Sequence, residues 1–169
     1  MICPHLVRSA TPADAPAIAA LWNPWIASTA ITFTPTLKTA ADVAAMIATR
    51  PAFFTSDDIA GFATYDQFRG GVGYATCMEH TVVLAAHALG RGLGRALMDA
   101  VEAHAARHGA HQMIAGISGE NPDAIRFHAA LGYSQIARIT DAGFKFDRFM
   151  DLVLMRKFLT PPANPRPFD

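Results

Sequence analysis

The chain has 169 residues, 51% hydrophobic and 17% charged, which predicts one globular domain with its own core and excludes a disordered chain. Formal net charge is zero and the pI is near 7.1, without the basic excess that a nucleic-acid surface uses. No apolar run approaches the ~20 residues that cross a bilayer, and no charged-then-apolar signal pattern opens the chain, so a cytoplasmic protein without a membrane partner is expected.

Leu6 to Ser9 reads as a short strand. Thr11, Pro12 and Asp14 supply an N-cap, a first-turn proline and an acid three residues on. The helix they start runs to about Ala27, with Ile18, Leu21, Trp22 and Trp25 as its apolar stripe. Ala30 to Thr36 contains Pro35 and reads as a loop; Phe33 in it either packs the loop or lines a pocket. Thr39 with Asp42 caps a second helix through about Thr49, ended before Pro51. Ala52 to Ser56 and Ile59 to Tyr65 are strands around a tight turn at Ser56-Asp57-Asp58, and residues 66–73 are loop.

Tyr74 to Ala85 reads as the long central strand, followed by a glycine-rich turn and a helix from Gly92 to about His108 that ends at Gly109. Gln112 to Ile117 is another strand. Asn121, Pro122 and Asp123 start a short helix that Gly132 ends. Ser134 to Thr140 and Phe149 to Phe158 complete the strands. The order predicts an α/β fold, a mixed sheet with helices on both faces, as one domain over 1–159. Residues 160–169 hold four of the eleven prolines and read as a tail. Cys3 and Cys77 suggest no disulfide framework, and the seven histidines form no spaced metal site.

Gly90, Gly92 and Gly94 lie between strand and helix, where unpaired helix N–H groups bind phosphate. A Walker loop needs Gly-Lys-Ser/Thr, and no lysine stands here; strict alternation of the glycines does not fit the dinucleotide pattern. Leu89-Gly90-Arg91-Gly92-Leu93-Gly94 resembles instead the Q/R-x-x-G-x-G/A pyrophosphate loop of the GNAT superfamily of acyl-CoA N-acyltransferases, with Leu89 where that pattern has Gln or Arg. Four further stretches narrow the resemblance to the phosphinothricin acetyltransferase group. They are Met78-Glu79-His80-Thr81-Val82, Ile117-Ser118-Gly119-Glu120-Asn121, Phe127 to Tyr133, and Gly143 to Phe146 with Asp151 to Leu154. The likeness covers about residues 6–159.

The resemblance implies a sheet whose central strand and the 112–117 strand splay to hold the pantetheine of acetyl-CoA. Val82, Val83 and Leu84 would lie along it, with Gly90, Arg91, Gly92, Leu93, Gly94 and Arg95 at its phosphates and Asn121 in contact with it. Arg91 and Arg95 read equally as solvated arginines at a helix start, and Asn121 as a plain N-cap. Direct acetyl transfer to an amine needs a base, and Glu79 in the central strand is the candidate; the plain reading is a solvated or salt-bridged acid. His128 stands where this group has an acid–base histidine, against the reading of a ring packed beside Ala124 and Ile125. His80 reads as packing on the face opposite Glu79, and Cys77 as inert.

The implied acceptor is a small amino acid or glutamate analogue of the phosphinothricin or methionine sulfone/sulfoximine type; the alternatives are another amine (a polyamine, an aminoglycoside or a protein N-terminus) or an acyl-CoA-binding sensor without turnover. Arg69 is the expected cation for it, with Val72, Gly73 and Tyr74 at the rim. Lys145 and Phe146 are expected to close over it from a late loop, in a homodimer; Arg69 and Lys145 also read as surface charges.

Overall fold

The structure is a computed structural model that describes residues 6–160; Cys3 and the expected tail, Thr160 apart, lie outside the described residues. Seven strands form one mixed sheet in the order β1 (Val7–Ser9), β2 (Ala52–Ser56), β3 (Gly61–Gln67), β4 (Cys77–Leu84), β5 (Gln112–Ser118), β7 (Arg148–Phe158) and β6 (Ser134–Lys145). Only β4 and β5 run parallel; every other neighbour is antiparallel. Four helices pack on the sheet: α1 (Ala15–Ser28), α2 (Ala40–Thr49), α3 (Leu93–Arg107) and α4 (Pro122–Ala130). This is the mixed α/β architecture expected from the sequence.

Alternation along β3 divides the core. Ala63 and Tyr65 turn to α3, joining Leu93, Leu97, Met98 and Val101, while Phe62 turns to α1 and α2, joining Ile18, Trp22, Ile26 and Val43. Local chemistry sets the helix starts. Thr39 and Asp42 exchange hydrogen bonds, the Asp42 carboxylate accepting from Thr39 N at 2.8 Å and the Thr39 hydroxyl from Asp42 N at 3.1 Å. Asp14 accepts from Thr11 N at 2.7 Å and from the Arg8 guanidinium, which holds its carboxyl well below the usual carboxylate range.

Strand boundaries differ from the sequence reading: β3 is Gly61–Gln67, two residues later at each end than expected, and two larger shifts follow. β4 starts at Cys77, because Gly71 at φ 104° turns the chain into a short helical turn at Val72–Tyr74. β6 continues to Lys145, since pairing with β7 resumes beyond irregularities at Gln135/Ala137 and Ile139/Gly143.

The feature that positions everything else is a parting of strands. β4 and β5 pair only at Cys77↔Gln112, Met78↔Met113 and Glu79↔Ile114. Beyond Glu79, β4 stays with β3 as far as Leu84↔Gly61, and β5 stays with β7 as far as Ser118↔Leu152. Each strand keeps its outer ladder and leaves its inner edge open.

Candidate active site

A cleft of about 1170 Å³ opens where β4 and β5 separate. Val82, Val83 and Leu84 line one wall, and Ala115 to Ser118 line the other. Gly90, Gly92, Gly94 and Arg95 of the glycine turn and the start of α3 line it too, as do Asn121, the N-cap of α4, and Phe127 and His128 within α4. Trp25 lies across the β4 wall and donates its indole N–H to the Leu84 carbonyl at 2.9 Å.

The glycine turn has a physical reason at each position. Gly90 and Gly92 have φ of 71° and 88°, which an L side chain adopts only under strain. Gly92 is the N-cap of α3 and offers no side chain to its free N–H groups. At Gly94 a Cβ would stand 3.1 Å from the Phe127 ring and 3.2 Å from Leu84, so a bare backbone lets α3 meet both. The side chains of the same stretch divide. Leu93 is fully buried in the core under α3, which leaves its backbone for the turn, and the Arg91 side chain is not among those lining the cleft. Arg95 does line it, and also donates to the Ala130 carbonyl at 3.2 Å.

Glu79 forms the last paired rung before the strands part. Its carboxylate lies over Gly116, where a Cβ would stand 2.8 Å from Oε1. Burial pushes its pKa above the usual carboxylate value, and the Arg50 charge partly opposes that. Arg50 lines the same cleft and reaches Asp66 at 3.5 Å, the residue opposite Glu79 in the β3–β4 ladder.

His128 is 4% exposed, and its Nδ1 lies 2.7 Å from the Ala124 carbonyl one turn back. Its Nε2 lies 3.2 Å from Nε2 of His80, which is itself 8% exposed. Burial lowers both pKa values, that of His80 to about 3. Asn121 caps α4, its side-chain oxygen accepting from Ala124 N at 3.1 Å, and the residue also lines the cleft.

The acceptor side departs from the sequence reading. Phe33 lines the cleft and also packs its ring on Gly143, where a Cβ would meet it at 2.4 Å. Arg69, Val72, Gly73 and Tyr74 do not line the cleft; the Arg69 guanidinium lies 5.6 Å from the Tyr74 ring, and Val72 is 96% exposed. Lys145 is not a cation poised over the acceptor. Its ammonium is buried and donates to the carbonyls of Ile26, Thr29 and Thr32 at 2.6, 2.7 and 2.9 Å, pinning the loop that carries Phe33. Phe146 sits in the β6–β7 turn at φ 54°, exposed and outside the cleft.

His80, Arg50 and Gly116, with Trp22 and Trp25, are among the cleft residues to which the sequence reading gave no site role. Only Gly116 carries a local signal: an isolated glycine inside a strand marks a close approach.

A parted parallel strand pair, with a phosphate-suited turn at one end and a half-buried carboxylate at the other, defines an acyl-CoA-dependent transferase fold. Residues 21–133 match the model of the acetyltransferase (GNAT) family, and the chain belongs to that family. A methionine sulfoximine/methionine sulfone acetyltransferase of Pseudomonas aeruginosa is 31% identical over 94% of this chain and 96% of its own. A putative acetyltransferase from Salmonella typhimurium, solved with acetyl-CoA, superposes with a TM-score of 0.90 at 29% identity, covering 98% of this chain and 99% of that one. A phosphinothricin acetyltransferase from Sinorhizobium meliloti in complex with acetyl-CoA superposes at 0.89 with 25% identity, over 99% and 95% of the two chains. The chain is therefore an enzyme of the GNAT acetyltransferase class. Its cleft fits acetyl-CoA: open strand edges for the pantetheine, and an uncapped helix start with left-handed glycines for the diphosphate.

Proposed function

We propose that this enzyme transfers acetyl from acetyl-CoA directly to the α-amino group of a small amino acid or glutamate analogue, with Glu79 as base. The observation that carries the reading is Glu79 itself, a carboxylate raised by burial at the point where the acyl-carrying cleft begins. The amine nitrogen forms a bond to the acyl carbon and the carbon–sulfur bond breaks. Glu79 takes the proton that the nitrogen loses, and an upward-shifted carboxylate keeps that proton better than an ordinary one. Buried His128 is the acid–base helper. Arg50 is assigned to the acceptor's carboxylate, in place of Arg69, because it is the cation that lines the cleft beside Glu79. Phe33, Trp22 and Trp25 also line the cleft and supply an apolar wall for the acceptor's side chain.

Relatives named for methionine sulfoximine, methionine sulfone and phosphinothricin support the substrate class, and a detoxifying role is proposed with it. A homodimer is also proposed; the exposed rings of Phe144, Phe146 and Phe149 on the β6–β7 hairpin favour it, and a monomer in sedimentation velocity counts against it. Thiol release from acetyl-CoA, measured across amino acids, polyamines, aminoglycosides and peptides, tests the whole. Release with methionine sulfone or phosphinothricin, lowered ~10²-fold or more in Glu79→Gln, is the expected result. Preference for a polyamine or peptide overturns the acceptor, and binding of acetyl-CoA without release under any acceptor marks a sensor.

A further inference from the structure

His80 lies beside the proposed base yet has no part in the chemistry so far, and its surroundings fix the protons of two rings. The Ala124 carbonyl can only accept, so the His128 nitrogen 2.7 Å from it, Nδ1, carries a hydrogen. A neutral His128 then has a bare Nε2. That atom lies 3.2 Å from His80 Nε2, and one of the two must donate, so the hydrogen is on His80. His80 Nδ1 is left as a lone pair, and it is the buried side-chain nitrogen that has no hydrogen-bond partner among the described residues. One backbone carbonyl thus assigns all four ring nitrogens.

We propose that His80 is a positioning residue for His128: its Nε2–H holds the His128 ring as the Nδ1–H tautomer, with a bare Nε2 in the buried end of the cleft.

Both rings line the cleft, and Tyr133 presses its ring edge against each, with centroids at 5.8 and 5.3 Å. The Tyr133 hydroxyl is turned away, donating to Glu102 at 2.9 Å, and Glu102 is paired with Lys157 at 2.5 Å. From β4 itself, Glu79 and Cys77 are the nearby titratable groups, and β4 alternation sends them to the other face of the strand. With this surrounding, burial holds both rings neutral. The consequence for the reaction is definite. Resting His128 has no proton on Nε2 to give. Its one lone pair there accepts from His80, so the proton that the acceptor amine loses as its N–C bond forms goes to Glu79 and from there to the departing sulfur, and His128 can relay it only when the His80 contact opens.

The proposal rests on the acetyl-transfer reading only for its kinetic arm, and a structural arm stands apart from turnover. In protein labelled with ¹⁵N-histidine, His128 should show a protonated Nδ1 and a bare Nε2, and His80 the reverse. His128 should titrate below the ordinary histidine range. In His80→Leu the donor to Nε2 is lost, and the titration of His128 moves up; in His80→Gln, whose amide can still donate, it stays. Acetyl transfer should fall roughly tenfold in His80→Leu and stay within about threefold in His80→Gln. A role in packing alone would lower the melting temperature and leave the His128 titration in place. A His128 with its hydrogen on Nε2, a hydrogen on His80 Nδ1, or an unmoved titration in His80→Leu overturns the proposal. If the wild type releases no thiol with any acceptor, the function fails, and the nitrogen shifts still decide the proposal.

Discussion

Glu79 and Gly116 face each other across the point where the central strands separate, and Oε1 of the acid stands 2.8 Å from where a side chain on the glycine would begin. No residue other than glycine leaves the carboxylate where it is. The conflicting atom is the far end of a flexible side chain, so Gly116→Ala displaces Glu79 more readily than it disturbs the sheet. The other neighbours of such a Cβ, Leu152 and Leu154, lie at 3.7 and 4.0 Å, an ordinary contact. We expect kcat/KM to fall ~10²-fold, the cost of moving a catalytic group by about an ångström, with the melting temperature within a few degrees of wild type. Steady-state kinetics beside thermal melts checks both halves.

The protonation of Glu79 gives a second prediction. Its folded pKa is raised, first by burial and against the pull of Arg50. Proton transfer needs the carboxylate, so the acidic limb of kcat/KM lies above the ~4.3 of an ordinary glutamate. Arg50→Gln removes the lowering charge and moves that limb to higher pH. The sign for stability follows from proton counts. Between the unfolded and folded pKa values the folded protein binds the extra proton, so stability falls as pH rises through that window. Glu79→Gln removes this loss. Its melting temperature should equal the wild type's below pH ~4 and exceed it at neutral pH.

Much of this arrangement is legible in the sequence, and what is not has a common cause. Thr39 and Asp42, the left-handed glycines at 90 and 92, and Asn121 before Pro122 act within a few residues of themselves, and their local chemistry foretells their structure. Alternation correctly puts His80 on the other side of β4 from Glu79, but cannot say that α4 lays His128 against that side. The cations show the limit most clearly. Arg69 and Lys145 look available because they lie in or near loops. Yet Lys145 is spent on carbonyls at the end of α1, and Arg50 reaches the cleft because α2 ends beside the β3–β4 ladder. Which cation meets an acceptor depends on contacts between distant elements.

Lys145 leads to a third prediction. It satisfies three carbonyls that otherwise lose their partner, and burial pushes its own pKa down. Lys145→Met keeps length and apolarity and removes the donors. Leaving buried carbonyls unpaired costs roughly 1–3 kcal/mol, and chemical denaturation should show that loss. The loop at 29–36 then loses its anchor, and Phe33 its fixed place on Gly143. KM for the amino-acid acceptor should rise more than KM for acetyl-CoA if Phe33 forms the proposed apolar wall for the acceptor. An equal rise in both would separate Phe33 from acceptor binding.

Asn121 allows its two roles to be taken apart. The side-chain oxygen caps α4 through Ala124 N, while the residue also lines the cleft. Serine caps a helix about as well as asparagine, so Asn121→Ser keeps the cap and removes the side-chain amide. Its stability should stay within a few tenths of a kcal/mol of wild type, whereas Asn121→Ala loses about 1 kcal/mol. If the amide N–H₂ is what meets acetyl-CoA, both variants lose one hydrogen bond, and affinity for acetyl-CoA falls by the same ~2–10-fold in each. Calorimetric titration with CoA beside denaturant melts reads the two quantities separately. A serine variant that keeps full affinity would show Asn121 to be a cap and nothing more, and would leave the backbone N–H groups of the glycine turn as the main anchor of the diphosphate.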